Sequence, residues 1–127
     1  MGDVMETIGE SGARFVQERQ QARSAELDQL RVQQRAMEAL RDLLSRVENE
    51  DLPVVTWTIA SSPSASPLTA VCESGDADKR RRDFEKWCGA LGAARLADEM
   101  HGQGGTRLRA RVMDTYLDLS IDLVADV

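Results

Sequence analysis

The sequence predicts an α+β protein: a long N-terminal helix, then a β-hairpin, a second helix and a second hairpin. Two observations support this class. Apolar residues recur every three or four positions before Pro53, as in a helix, and frequently every second position after it, as in strands. Runs of strands interrupted by one helix predict an antiparallel sheet of about four strands with the helices on one face.

The first part of the chain predicts one long helix. Between Ala13 and Glu50 there is no glycine or proline, and good helix formers dominate. We expect residues 1–12 to be a flexible leader, residues 13–52 to be the helix, and residues 53–127 to be a small α+β domain. Such a helix runs to about 55 Å, whereas a domain of this size is about 30 Å across, so the helix is expected to project, bend or pair.

The C-terminal half of this helix carries an apolar stripe. Its members alternate at spacings of three and four residues and share one helix face, which Ala36 and Leu43 widen. The stripe either packs on the protein's own sheet or pairs with a second copy or another protein, and the two interpretations are compatible. The candidate interaction residues are Leu30, Gln33, Met37, Leu40, Leu44 and Val47.

The segments after the long helix predict a first hairpin. In residues 54–59, Val55, Trp57 and Ile59 share one face, and the two threonines lie on the other. Residues 68–72 form a second predicted strand with positions 68, 70 and 72 on one side, and a loop rich in serine and proline separates the two segments. We expect a hairpin with a long connection, in which Trp57 is a large core residue.

Apolar residues at helical spacing predict a second helix over Ala77–Leu91 that ends at Gly92. Phe84 and Trp87 are its expected core residues. Residues 96–100 carry two apolar side chains four positions apart, which predicts a further short helical turn.

The last element is a hairpin of two alternating strands, Thr106–Val112 and Tyr116–Leu123, joined by a short turn at Asp114–Thr115. In the expected register, apolar residues meet on the inner face and arginines meet aspartates on the outer face. A slip by one residue would place arginines against leucines. The expected pairs are Val112 with Leu117, Ala110 with Leu119, Leu108 with Ile121, Arg111 with Asp118 and Arg107 with Asp122.

The composition excludes several classes of protein. With 127 residues, of which 42% are apolar and 30% charged, the chain suits one core and is too apolar to be disordered throughout. A formal charge of −6 disfavours a general nucleic-acid coat protein, because non-specific affinity for phosphates comes from lysine and arginine. No window approaches the roughly 18 consecutive apolar residues of a membrane-spanning helix, and no signal peptide is recognisable. We expect a cytoplasmic protein that binds no membrane.

Neither catalysis nor metal binding has a signature in the sequence. Cys72 and Cys88 lie in apolar patterns, without the short spacing of a zinc or redox site, and are expected to be free thiols. The only histidine, His101, stands in a glycine-rich loop with no serine or cysteine motif around it. An enzyme assembled around His101 is an alternative, but we predict no catalytic residue, no metal and no cofactor.

Two basic segments raise the alternative of a nucleic-acid-associated regulator. One is spread around the second helix and diluted by acidic residues, which favours a solvated face, whereas the other forms a one-sided row on a strand. In the expected register, two arginines of that row face aspartates and Arg109 faces Ser120, so ion pairs are the preferred interpretation. The candidate contacts are Lys79, Arg80, Arg81, Arg82, Arg107, Arg109 and Arg111.

The preferred hypothesis is a non-enzymatic interaction or assembly protein, such as an adaptor, a small chaperone or an accessory subunit. The long helix offers more length than one small core can use. An open sheet also leaves edge strands that can accept another strand. We expect a protein partner, a homo-oligomer or both, with nucleic acid a less favoured partner.

Overall fold

The structure, a computed structural model, describes residues 2–60, 66–100 and 104–127, with side chains described from residue 17 onwards. The chain divides into two compact units, Met1–Arg31 and Val32–Val127. The described ranges hold two helices and one open, mixed sheet of six strands, which confirms the α+β class. The elements are α1 (Gly2–Glu50), β1 (Thr56–Ile59), β2 (Leu68–Cys72), α2 (Ala77–Leu91), β3 (Ala94–Arg95), β4 (Glu99–Met100), β5 (Thr106–Asp114) and β6 (Leu119–Asp126).

The first helix, α1, begins at Gly2, so residues 2–12, for which the sequence predicts a leader, belong to the helix. At its other end, Asp51 adopts the left-handed conformation, with φ at 53°. The N–H of Leu52 then donates to the carbonyl of Val47 at 3.2 Å, which closes the last turn. The helix therefore ends close to the predicted boundary.

The unit Met1–Arg31 consists of the first turns of α1. From Gln17 onwards its side chains are exposed, except for the half-buried Leu27. On this surface Arg23 and Glu26 form an ion pair at 3.1 Å, and exposed pairs of this kind contribute only about 0.3–0.5 kcal/mol. The intrinsic helix preference of the residues is therefore the main local support for the described part of this unit.

The second helix, α2, has the bounds that the sequence predicts. The carboxylate of Asp76 accepts the N–H of Lys79 at 2.8 Å and caps the first turn. Gly92 is left-handed, with φ at 65°, and ends the last turn. Phe84 and Trp87 point into the core and are fully buried, as predicted. Both boundaries could be predicted because each has a capping residue with a known conformational preference.

The sheet has the strand order β1-β2-β6-β5-β3, with β4 also beside β5. β1 pairs with β2 and β5 pairs with β6 in antiparallel fashion, as the predicted hairpins require, but β2 and β6 are parallel. The prediction of a wholly antiparallel sheet is therefore wrong. The strand order is the reason, because β6 and not β5 lies beside β2. The alternating pattern would bury the same residues of β2 and β6 whether the two strands were parallel or antiparallel, so it does not predict their relative direction.

Two of the strands are only two residues long and run beside β5. β3 and β4 pair with β5 on the same side, and between them the N–H of Leu96 donates to the carbonyl of Arg109 at 2.9 Å. The helical turn predicted for residues 96–100 is wrong, and so is the number of about four strands. Strands of two residues are too short to show an alternating pattern. Backbone hydrogen bonds to β5 hold this segment extended, and one pair of apolar residues four positions apart is too weak a signal for a helix.

The register of β5 and β6 differs from the predicted one by four residues. Val112 faces Ile121 rather than Leu117. Because four is an even number, every residue keeps its predicted face of the sheet. The other corrected pairs are Ala110 with Leu123, Leu108 with Ala125, Arg111 with Asp122 and Arg107 with Asp126, which replace Leu119, Ile121, Asp118 and Asp122 as partners.

A longer turn explains the changed register. The carboxylate of Asp114 accepts the N–H groups of Tyr116 at 3.1 Å and Leu117 at 3.0 Å. Asp118, with φ at 53°, then leads the chain into β6. In the sequence, the outward arginines of β5 recur every two residues and the aspartates from Asp118 onwards every four, so a shift of four residues again matches opposite charges. The turn, and not the charge pattern, decides the pairing.

A double-mutant cycle should find Arg111 coupled to Asp122 and not to Asp118. Two hydrogen bonds, of 2.7 and 3.2 Å, join Arg111 to Asp122. The coupling between Arg111→Gln and Asp122→Asn, measured in the free energy of unfolding by urea titration, should be about 1 kcal/mol. The matched cycle with Asp118→Asn should give about zero, because Arg111 pairs with Asp122 and not with Asp118. Asparagine tolerates the left-handed conformation of this position, so the substitution adds no backbone strain. A larger coupling to Asp118 would support the shorter turn instead.

The Arg111–Asp122 interaction should also depend on pH. Partial burial acts to raise the pKa of the Asp122 carboxyl, but hydrogen bonds from Arg111 and Ser66, with the Arg111 charge, hold the pKa below its ordinary value of 3.8. A folded-state pKa below the unfolded one means that the stabilisation is present above about pH 4 and is lost as the pH falls through the folded value. The coupling should therefore vanish in acid.

The core lies between the inner face of the sheet and the helices that pack on it. α1 contributes Ala36, Ala39 and Leu43, and α2 contributes Phe84 and Trp87. Leu52 and alternate residues of three neighbouring strands complete it, so the helices lie on one face, as predicted. These strand residues are Leu68, Ala70, Cys72, Leu108, Ala110, Leu119, Ile121, Leu123 and Ala125.

Two tryptophans connect α2 to the first hairpin. The indole N–H of Trp87 donates to the carbonyl of Pro53 at 2.9 Å, and the rings of Trp87 and Trp57 meet edge to face at 5.4 Å. Trp57 is half-buried rather than fully buried, because β1 is an edge strand.

Candidate interaction site

Between Val32 and Glu50, α1 carries two apolar surfaces. Ala36 and Leu43 pack into the core, whereas Met37 and Leu44 are 59% and 50% exposed. Met37 and Leu44 lie seven residues apart, which is about two helical turns, so they share one line along the helix. The predicted stripe is therefore wider than the area that the protein's own sheet covers.

The other predicted interaction residues lie in different surroundings. Leu40 and Val47 are partly buried and pack against the core, and Gln33 is also half-buried. Leu30 belongs to the first unit and is 45% exposed. The second unit thus brings together only part of the predicted set at one surface, namely Met37, Leu40 and Leu44.

These three residues line a shallow, open groove of about 460 Å³, and all of its lining residues belong to α1. Its polar lining includes Arg41 and Glu48, two exposed side chains with no ion-pair partner among residues 17–60, 66–100 and 104–127. Neither residue is among those predicted from the sequence, although their spacing of seven residues beside the stripe is a detectable signal. We call the groove and its lining the α1 face: Met37, Leu40, Arg41, Leu44, Ser45 and Glu48.

The basic residues of α2 are partly engaged within the fold. The Lys79 ammonium lies 2.6 Å from the carboxylate of Asp83, which is itself buried. The guanidinium of Arg80 donates to the carbonyl of Asp126 at 2.6 Å. Within the candidate run of residues 79–82, only residues 81–82 are exposed, so the free part of that run is limited to them.

The arginine row of β5 is paired with carboxylates. Arg109 lies opposite Val124 and not, as the predicted register has it, opposite Ser120, and Glu99 of β4 supplies a carboxylate. A carboxylate therefore neutralises each arginine of the row, which leaves less positive charge to bind nucleic-acid phosphates than the sequence suggests. The ion pairs are Arg107 with Asp126 at 2.8 Å, Arg109 with Glu99 at 3.2 Å and Arg111 with Asp122 at 2.7 Å.

A second cleft, of about 300 Å³, lies between α1, the end of α2 and the β5–β6 turn. Leu43 and Ile121 are among its apolar lining residues. Its polar groups are largely used by the fold, because Arg46 donates to the carbonyl of Ala90 at 2.9 Å and Asp114 holds the turn. We therefore take the α1 face, and not this cleft, as the candidate site.

The cysteines are free, as predicted, and poorly suited to covalent chemistry. Burial, with the charge of Asp83, raises the pKa of the Cys72 thiol to about 12, and burial also raises the pKa of Cys88. Since the thiolate is the nucleophile, neither side chain is activated at neutral pH. His101 lies outside the described residues.

Among the side chains that the structure describes, no group of three or more histidines, cysteines, aspartates or glutamates is arranged to hold a metal ion. Over the same part of the chain, no helix has the length and apolar character to cross a bilayer. Comparison with known proteins gives no further assignment, since no protein family, curated protein or solved structure matches this chain.

Proposed function

We propose that this protein is a non-enzymatic interaction or assembly protein, such as an adaptor, a small chaperone or an accessory subunit, and that it binds its partner through the α1 face. The observation that carries the proposal is the exposure of Met37 and Leu44 beside the partly buried Leu40. A contiguous apolar patch on a folded surface is typical of a binding site. Core packing already holds this part of α1, so binding would order few additional groups.

The open sheet supports the same proposal. β1 is an edge strand, and in the described part of the chain no strand pairs with its outer side. An edge of this kind can accept a strand from another protein. β1 has only four residues, however, and short edge strands resist such pairing, so the α1 face is the principal contact in this proposal.

A cytoplasmic location and a protein partner belong to the proposal. The free cysteines Cys72 and Cys88 suit a reducing compartment, where disulfides are rare. Nucleic acid is the less favoured partner, because most of the candidate basic side chains already bond to carboxylates or carbonyls.

Affinity capture tests the proposal. The full chain serves as bait in native lysate of its source cells, beside the variant Met37→Lys/Leu44→Lys. The matched control is Glu38→Lys/Asn49→Lys, which adds two lysines at exposed positions of α1 outside the α1 face. The first variant should lose the captured partner and the control should retain it. Retention of every partner by a Met37→Lys/Leu44→Lys variant with a native circular dichroism spectrum would refute the use of this face.

A further inference from the structure

We draw no further inference here: the strongest candidate, the cleft of about 300 Å³ between α1, the end of α2 and the β5–β6 turn, carries none, because Arg46 and Asp114 in its lining already bond within the fold and nothing among the described residues shows what would fill it.

Discussion

Leu123→Asp is expected to abolish the cooperative folding of the second unit. Leu123 is fully buried on β6, between Ala70 of β2 and Ala110 of β5. A carboxylate there has neither water nor a counter-ion, and such changes are among the few that exceed about 4 kcal/mol. Because domains are stable by only about 5–15 kcal/mol, most of the folded population should disappear. Far-UV circular dichroism and urea titration at neutral pH measure the loss.

The matched control is Val124→Asp, one residue further along β6. Val124 is half-buried on the outer face, opposite Arg109 of β5, so the new carboxylate would be hydrated and lie near a cation. We expect a cost of about 1 kcal/mol, the range of strand preferences, and a cooperative transition. Equal stability of the two variants would contradict the assignment of inner and outer faces on β6.

Trp87→Ala should lower the free energy of unfolding by about 4 kcal/mol. Its ring is fully buried, donates a hydrogen bond to the carbonyl of Pro53 at 2.9 Å and meets Trp57 edge to face at 5.4 Å. Truncation therefore leaves a cavity and an unsatisfied carbonyl, and it removes an aromatic contact worth about 0.5–1.5 kcal/mol. The shift of the urea midpoint, followed by far-UV circular dichroism, measures the loss.

Trp57→Ala provides the comparison for this variant. Trp57 lies on the edge strand β1 and is only half-buried, so its removal should lower the free energy of unfolding by about 1–2 kcal/mol. Each variant retains one tryptophan, and the fluorescence of the remaining ring reports unfolding independently. A loss for Trp57→Ala as large as that for Trp87→Ala would show that the core is not centred on α2.

The helices and the main hairpins could be predicted because local chemistry determines them. Asp76 and Gly92 cap α2, and Pro53 follows the end of α1, so their boundaries are marked by single residues. The strands of both hairpins show the alternation of a half-buried sheet. Each of these signals lies within a few residues of the structure that it predicts.

The pairing between strands could not be predicted, because it depends on contacts between distant segments. Both candidate registers of β5 and β6 join arginines to aspartates, and only the hydrogen bonds of Asp114 distinguish them. The parallel pairing of β2 with β6 has no signal in the sequence of either strand. β3 and β4 are too short for any periodic pattern.

The candidate site was predicted in outline but not in detail. One spacing of three and four residues serves both the surface that packs on the sheet and the surface that stays exposed. The sequence therefore groups the buried Leu43 with the exposed Leu44 in one stripe. Separating them requires the position of the sheet, and only then do Arg41 and Glu48 become part of the α1 face.

β6 is the last strand in chain order among the described strands, yet it lies between β2 and β5. Its pairing with β2 joins segments separated by α2 and three other strands, and contacts this distant in sequence slow folding. During synthesis on the ribosome, the side of β2 that pairs with β6 therefore has no partner strand until Leu119–Asp126 has been made. The sheet is therefore completed by inserting β6, the strand synthesised last, between β2 and β5, and not by adding strands to β1 in chain order.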